Sequence, residues 1–354
     1  MNMLNRLLPI LVCIPLLFPL SVHARKALEG TPKAEAKGPW FTGPLLTSSG
    51  HVIPMGHQYF EPTFYWTDIT GSYDNHWHYF KTPPSYRQFL SQTPLQFGIL
   101  PGMEIDIAPQ FAYNNSGGEH MWRVVDQPFA IAFQLLMDKP RRWWPAIKLK
   151  FSALIPLGKY DRLNTEKLGT DVGGFGSWAP TISFITGKMF HCGGVHYFSW
   201  RMGFNYTITV PVHVRELNIW GGSLSLPQAT PLPANPLGPA LLTPSFDPLK
   251  INGTVYPGCV FTAQQGFEFS LTHNWALALD LQYVHVNKSH FSGNNGGTVM
   301  TAPSAEQFSI APALEYNFSA NIGLIAGPWF TIAGRNNNQT NAFISWVFAI
   351  SVYH

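Results

Sequence analysis

The chain has 354 residues, is 14% aromatic and 12% charged, and carries a formal net charge of +3. That excess falls to about +2 once Arg6 of the leading segment is set aside, too little for a nucleic-acid partner. Soluble domains average about 25% charged residues. After the leading segment no apolar run approaches the ~18 residues of a spanning helix, so helical membrane spans are excluded.

Residues 1–24 read as a signal peptide. Arg6 supplies the basic start, Leu7 to Leu20 the apolar stretch, and Val22-His23-Ala24 the cleavage site. Pro9, Pro15 and Pro19 break the apolar run. Val12 precedes Cys13 where lipidation needs a small residue, so no lipid anchor is expected. Residues 25–57 follow as a periplasmic N-terminal segment or plug. Lys26 to Lys37 is charged and expected to be disordered. Trp40 and Phe41, in a Gly- and Pro-punctuated stretch, are the candidate plug residues.

From residue 58 the chain reads as about twelve strands, each set by apolar side chains at every second position. The first lies near 58–68, with Phe60, Pro62, Phe64 and Trp66 on one face; the second lies near 86–99. Leu100-Pro101-Gly102-Met103 turns into a third, 103–114, where Ile105, Ile107, Pro109, Phe111 and Tyr113 alternate with Glu104, Asp106, Ala108 and Gln110. A fourth, 121–137, loses phase at Asp126-Gln127, which predicts a bulge. Asp138 to Arg142 turns into the fifth, 144–157. The sixth spans 175–189, and His191-Cys192-Gly193-Gly194 turns into the seventh, 195–214. The eighth, 256–272, and the ninth, 275–287, meet at His273-Asn274. Three more fill 305–353, where every even position from Phe308 to Phe318 is apolar.

Connections after even-numbered strands are short. Most others, 69–85, 158–174, 215–255 and 288–304, are long. Short periplasmic turns and long external loops are the habit of outer-membrane barrels. The expected fold is all-β: a transmembrane antiparallel β-barrel of the bacterial outer membrane over 58–354. Its partners are then outer-membrane lipid and the barrel-assembly machinery. The chain closes on Tyr353-His354 rather than on the usual terminal aromatic. Cys192 and Cys259 fall at opposite ends of this map and are expected to be free thiols.

An unpaired charge facing lipid is costly. The strand phases therefore place Glu61, Glu104, Asp106, Lys148, Lys150, Arg201, Glu268, Asp280 and Glu315 toward the lumen. Two readings fit: a polar conduit, or a lumen filled by a structural ion-pair network. The phases also imply that a charge change at an inward position such as Asp280 is tolerated. His76-Trp77-His78 and the pair His191 and His196 lack a second set of ligand spacings, so no metal and no cofactor is expected. Ser199 and Ser345 are the only serines that suggest a lipolytic site, and neither sits in a nucleophile motif. The loop 216–249 is apolar and stiffened by prolines. Leu224, Leu226, Leu232, Leu237, Leu241 and Leu242 mark it as a solute-collecting surface or a lid over the mouth.

Gly38-Pro39-Trp40-Phe41-Thr42-Gly43-Pro44 leads into the first strand, and Leu154-Ile155-Pro156-Leu157-Gly158-Lys159-Tyr160-Asp161 ends a strand at an external loop. With the barrel layout, these stretches resemble the outer-membrane proteins of the meta-pathway phenol degradation type, which are akin in architecture to the long-chain fatty-acid transporter family. The resemblance implies passive uptake of small hydrophobic or aromatic compounds and no enzyme activity. It supplies no residue-level signature for binding. A surface structural barrel and an outer-membrane lipolytic enzyme are the alternatives.

Overall fold

The computed structural model describes residues 40–81, 86–139, 142–215, 252–294, 296, 299–336 and 342–354. The expected signal peptide, the stretch from Lys26 to Lys37 and the leucines of the loop 216–249 lie outside the described residues.

Twelve antiparallel strands close into a barrel. They are β1 (Gln58–Phe60 and Thr63–Tyr73), β2 (Tyr86–Gln92 and Leu95–Leu100), β3 (Met103–Ile107 and Gln110–Ser116) and β4 (Glu119–Val124 and Gln127–Leu136). Then come β5 (Ala146–Ile155), β6 (Ala179–Gly193), β7 (His196–Thr207) and β8 (Val260–Ser270). The last four are β9 (Trp275–Val286), β10 (Ala305–Ser319), β11 (Ile322–Arg335) and β12 (Ala342–Tyr353). Each strand pairs with its sequence neighbour, and β1 closes on β12 with Trp66 opposite Trp346. Closure satisfies the backbone groups without water, which a membrane requires.

One end of the barrel carries the tight turns. Pro101-Gly102 is one of them, where Pro fixes the first corner and Gly102 takes a φ of 76°. The other end carries the long connections, together with one short hairpin at Gly117-Gly118, where both residues have positive φ.

The first four strands are interrupted, and prolines sit at or beside each break. Pro62, Pro94 and Pro109 have no N–H for the ladder, so the sheet is re-joined through their carbonyls. Glu61 N donates to Pro94 O (3.0 Å), Thr93 N to Pro109 O (2.9 Å) and Ala108 N to Pro128 O (3.4 Å). The phase loss expected at Asp126-Gln127 is the break between Val124 and Gln127.

Two expected strands are shorter than their sequence pattern. The seventh stops at Thr207 rather than 214, because Pro211 cannot continue the ladder. Val212–Val214 instead joins Gly253–Tyr256, Ser289–Gly293 and Val299–Ala302 in a separate four-stranded sheet. That sheet buries Val212, Val214, Val255 and Phe291, with Tyr160 packed against them. The eighth begins at Val260, after Pro257-Gly258.

The period of two sorts the barrel into two surfaces. Trp66, Phe111, Phe133, Ile182, Leu277 and Trp346 are exposed, while Tyr65, Thr67, Ala112, Ala132, Ser183 and Val347 between them are buried. The exposed set is the lipid-facing band. Aromatics gather at both rims: Trp143, Trp144, Trp275 and Phe318 near the tight turns, and Tyr79, Trp122, Trp178 and Tyr206 near the long connections. Such girdles mark the two membrane–water interfaces.

Candidate functional site

The interior begins with the segment 40–57, which crosses the tight-turn half of the barrel on hydrogen bonds to inward side chains. Thr42 N donates to Glu315 Oε2 (2.9 Å), and Thr42 Oγ1 to Asn317 Oδ1 (3.0 Å). Leu46 N donates to Asp280 Oδ2 (3.1 Å). Thr47 N and Thr47 Oγ1 both donate to Asp280 Oδ1, at 3.0 and 2.7 Å. Farther along, Val52 N donates to Gln134 Oε1 (2.8 Å) and Ile53 N to Glu104 Oε2 (2.6 Å). His51 Nε2 lies 2.7 Å from Asp138 Oδ1 in the turn after β4.

The barrel wall is cleared for this segment by glycine. A Cβ on Gly266 would lie 2.7 Å from Pro44 and 2.9 Å from Thr47; one on Gly98 would lie 2.0 Å from Pro54 O. Both are inward positions that only glycine fits at so close an approach. These inner-phase glycines are the signal by which sequence reasoning could have traced the segment.

The nine charged residues named from the sequence are buried or half-buried on the face opposite the exposed apolar side chains. Each has a partner. Lys148 pairs with Glu104 (3.0 Å), Lys150 with Asp106 (2.6 Å) and Arg201 with Glu268 (2.9 Å). Lys148 Nζ also donates to His51 O (3.1 Å). Glu61 accepts from Tyr59 Oη and from Ser351 Oγ (2.6 Å). Asp280 and Glu315 hold the segment 40–57. An Asp280→Arg change therefore destroys three hydrogen bonds and puts a long cation where Leu46 and Thr47 pack. Inward orientation alone does not confer tolerance.

Of the candidate plug residues, Trp40 stands at the rim, with its ring centroid 4.2 Å from that of His273 in the turn between β8 and β9. Phe41 is half-buried. Leu45, Leu46 and Val52 are the apolar side chains that go deep. Leu45 and Leu46 join Tyr65, Leu90, Ile325, Trp329, Phe343 and Val347 in one buried cluster on β1, β2, β11 and β12.

The connection after β5 folds inward at the other end. Asp126 accepts from Gly158 N and Phe175 N, both at 2.9 Å. Asn114 Nδ2 donates to Thr170 O (3.2 Å) and Val172 O (2.9 Å), and Lys159 pairs with Asp171 (2.6 Å). Thr170, Asp171 and Val172 are buried, and Leu168 packs on the aromatic cluster.

The remaining sequence candidates are quickly placed. Asp74 accepts from the backbone N–H of His76 (2.7 Å) and His78 (2.9 Å), so these histidines are arranged around a turn. No group of three or more His, Cys, Asp or Glu suited to a metal ion occurs among the described residues. Ser199 and Ser345 are buried on the inner face, and Ser345 Oγ is 2.8 Å from Thr67 Oγ1. Cys192 and Cys259 are free.

No protein-family model and no curated protein sequence matches the chain. Among solved structures it is similar to an outer membrane channel from Pseudomonas putida F1, with a TM-score of 0.59 and 10% identity over 87% of this chain and 98% of that one. It is more distantly similar to the NanC porin (TM-score 0.37, 8% identity, 83% and 98% covered). The transport unit of the autotransporter AIDA-I from Escherichia coli stands at a TM-score of 0.42 and 7% identity, with 84% and 90% covered. At these identities the likeness is one of fold, and among these three the first alone bears on architecture.

Proposed function

We propose that the chain is an outer-membrane channel for passive uptake of small hydrophobic or aromatic compounds, closed at rest by its own residues 40–57. The observation that carries this is how the segment is held. It is tied to the wall largely by side-chain hydrogen bonds, to Glu104, Gln134, Asp280 and Glu315. Bonds to such carboxylates are worth about 1.5–3 kcal/mol each and can be exchanged for bonds to water, so the segment acts as a displaceable plug. The likeness in fold to a channel supports this reading, and the resemblance to the phenol-degradation type supports the solute class.

In this reading the tight-turn end faces the periplasm, and the leucines of 216–249 collect apolar solutes outside. Solutes then pass the inward-folded connection after β5 and the buried aromatic cluster. The barrel-assembly machinery inserts the chain, and no chemistry is performed on the solute. The test is entry of a fluorescent hydrophobic tracer into cells that carry or lack the protein. Faster entry with the protein, slowed when 224–244 is replaced by a Gly/Ser linker, is the expected result. Equal entry in all three strains refutes the proposal and favours a surface structural barrel.

A further inference from the structure

Each charged side chain of the lumen has at least one partner, although Asp106 Oδ1, Glu315 Oε1 and the Glu268 oxygens make no hydrogen bond of their own; in the layer beyond, Asn205 and Ser183 make no side-chain hydrogen bond at all. Asn205, Gln264 and Gln282 lie on β7, β8 and β9, a few residues farther from the tight turns than Arg201, Glu268 and Asp280. They are 1%, 3% and 3% exposed, yet both polar atoms of Asn205 and the Nε2 atoms of Gln264 and Gln282 have no hydrogen-bond partner. Ser183 Oγ on β6 is equally buried and equally unpartnered. The register makes two pairs on neighbouring strands, offset by two residues: Ser183 is opposite Asn205, which faces Thr262, while Gln264 is opposite Gln282, and Gln282 opposite Ser309. Gly203, opposite Gln264, adds room: among the described residues a Cβ there would meet only Gln264 Oε1, at 3.8 Å.

Buried polar atoms without partners cost about 1–3 kcal/mol each and call for an occupant. Four consecutive strands, β6 to β9, contribute them to the inner face. The second pair also ends on an aromatic wall. Ser309 Oγ accepts from Trp329 Nε1 (2.9 Å) and lies 3.4 Å from Gln282 Oε1. Trp329 packs edge-on against Phe343 at 4.9 Å, in the cluster that includes Tyr65, whose hydroxyl is also unpartnered. None of the residues of either pair is charged, so a charged guest would leave water without a counter-ion there.

We infer that Asn205, Gln264 and Gln282, with Ser183, form a binding station for an uncharged solute that joins an apolar ring to one hydrogen-bonding group. The amides take the polar group and the wall of Trp329, Phe343 and Tyr65 takes the ring. This rests on reading the lumen as a solute path, and it narrows the solute class: apolar surface alone is insufficient, and carboxylates are rejected.

The test is calorimetric titration of the purified full-length barrel in detergent with benzyl alcohol, toluene and benzoate. Benzyl alcohol is expected to bind at least tenfold more tightly than either of the others. The double variant Gln264→Leu, Gln282→Leu should lower benzyl alcohol affinity about tenfold, the loss of hydrogen bonds worth about 1.4 kcal/mol in all, and leave toluene unchanged. Gly203→Leu, which fills the open space and keeps both amides, should weaken benzyl alcohol as well. Heat-modifiable gel mobility reports whether each variant is folded. The station is refuted if folded wild type and double variant bind benzyl alcohol alike, or if benzoate binds as tightly. Because this is a binding measurement, it is independent of tracer entry into cells. Equal tracer entry with and without the protein, with binding intact, overturns the channel reading and leaves the station standing.

Discussion

Two layers of the same lumen treat polarity in opposite ways. Near the tight turns the side chains are charged, and each charge has a partner, in another strand or in the segment 40–57, even where single oxygens of Asp106, Glu268 and Glu315 make no hydrogen bond. One layer farther in, the side chains are neutral amides and hydroxyls, and several have polar atoms with no partner at all. Charge is too expensive to leave uncompensated in a low-dielectric interior, so it is matched by the chain itself. A neutral amide costs less and can wait for a guest. The residues that stand out in the sequence by their charge are therefore those most occupied with holding the structure.

The sharpest way to break this comparison is to remove one partner from the charged layer. Lys150→Met leaves Asp106, fully buried, without its ion-pair partner, and should cost about 3–5 kcal/mol in denaturant unfolding. The double change Lys150→Met, Asp106→Leu should recover most of that loss, since a matched apolar pair is often no worse than a buried ion pair. A single variant as stable as wild type would mean that the charged layer is solvated and not structural.

The next effect tests the outer wall against the inner one. Leu279 and Asp280 are neighbours on β9, one outward and half-buried, the other inward and fully buried. Leu279→Arg should impair assembly by about 2–4 kcal/mol if it lies at mid-membrane. The loss should be insensitive to removal of residues 40–55. That of Asp280→Ala should vanish when those residues are removed, because its hydrogen bonds go to Leu46 and Thr47.

The smallest effect lies at the rim, where Asp138 meets His51 (2.7 Å) and Lys188 (3.4 Å). Burial acts to raise this carboxyl, but the His51 hydrogen bond and charge, with Lys188, outweigh it and hold the group below the usual carboxylate range. A depressed folded value stabilises above the unfolded value and fades as pH falls through the folded one. The contribution, about 0.5–1 kcal/mol for so exposed a pair, should thus be complete at neutral pH and decline below about pH 4. Asp138→Asn should remove this part of the acid dependence in an unfolding series.

The barrel was legible in the sequence because alternation at every second residue is a one-dimensional signal. Phe308 to Phe318 carries it without any tertiary information, and the alternation of short and long connections gives the strand number. What was not legible is which inward side chains meet. Asp280 reads as one more lumen charge until Leu46 and Thr47, more than 230 residues away in sequence, are seen on its carboxylate. Trp40 and Phe41 drew attention by size, but the deep contacts belong to Leu45 and Leu46, which lie between Pro44 and Thr47, the two residues that approach Gly266 of the wall. Pro211 ended one strand early and Pro257 delayed the start of the next, because one missing N–H outweighs a favourable hydrophobic pattern.

The central claim is that residues 40–57 close a conduit rather than fill a core. Single-channel conductance in planar bilayers tests it directly, comparing the full chain with one lacking 40–55, both shown by heat-modifiable mobility to be folded. The account predicts low, flickering conductance for the full chain and a stable conductance several-fold higher for the deletion. A folded deletion variant that conducts no more than the full chain would contradict it.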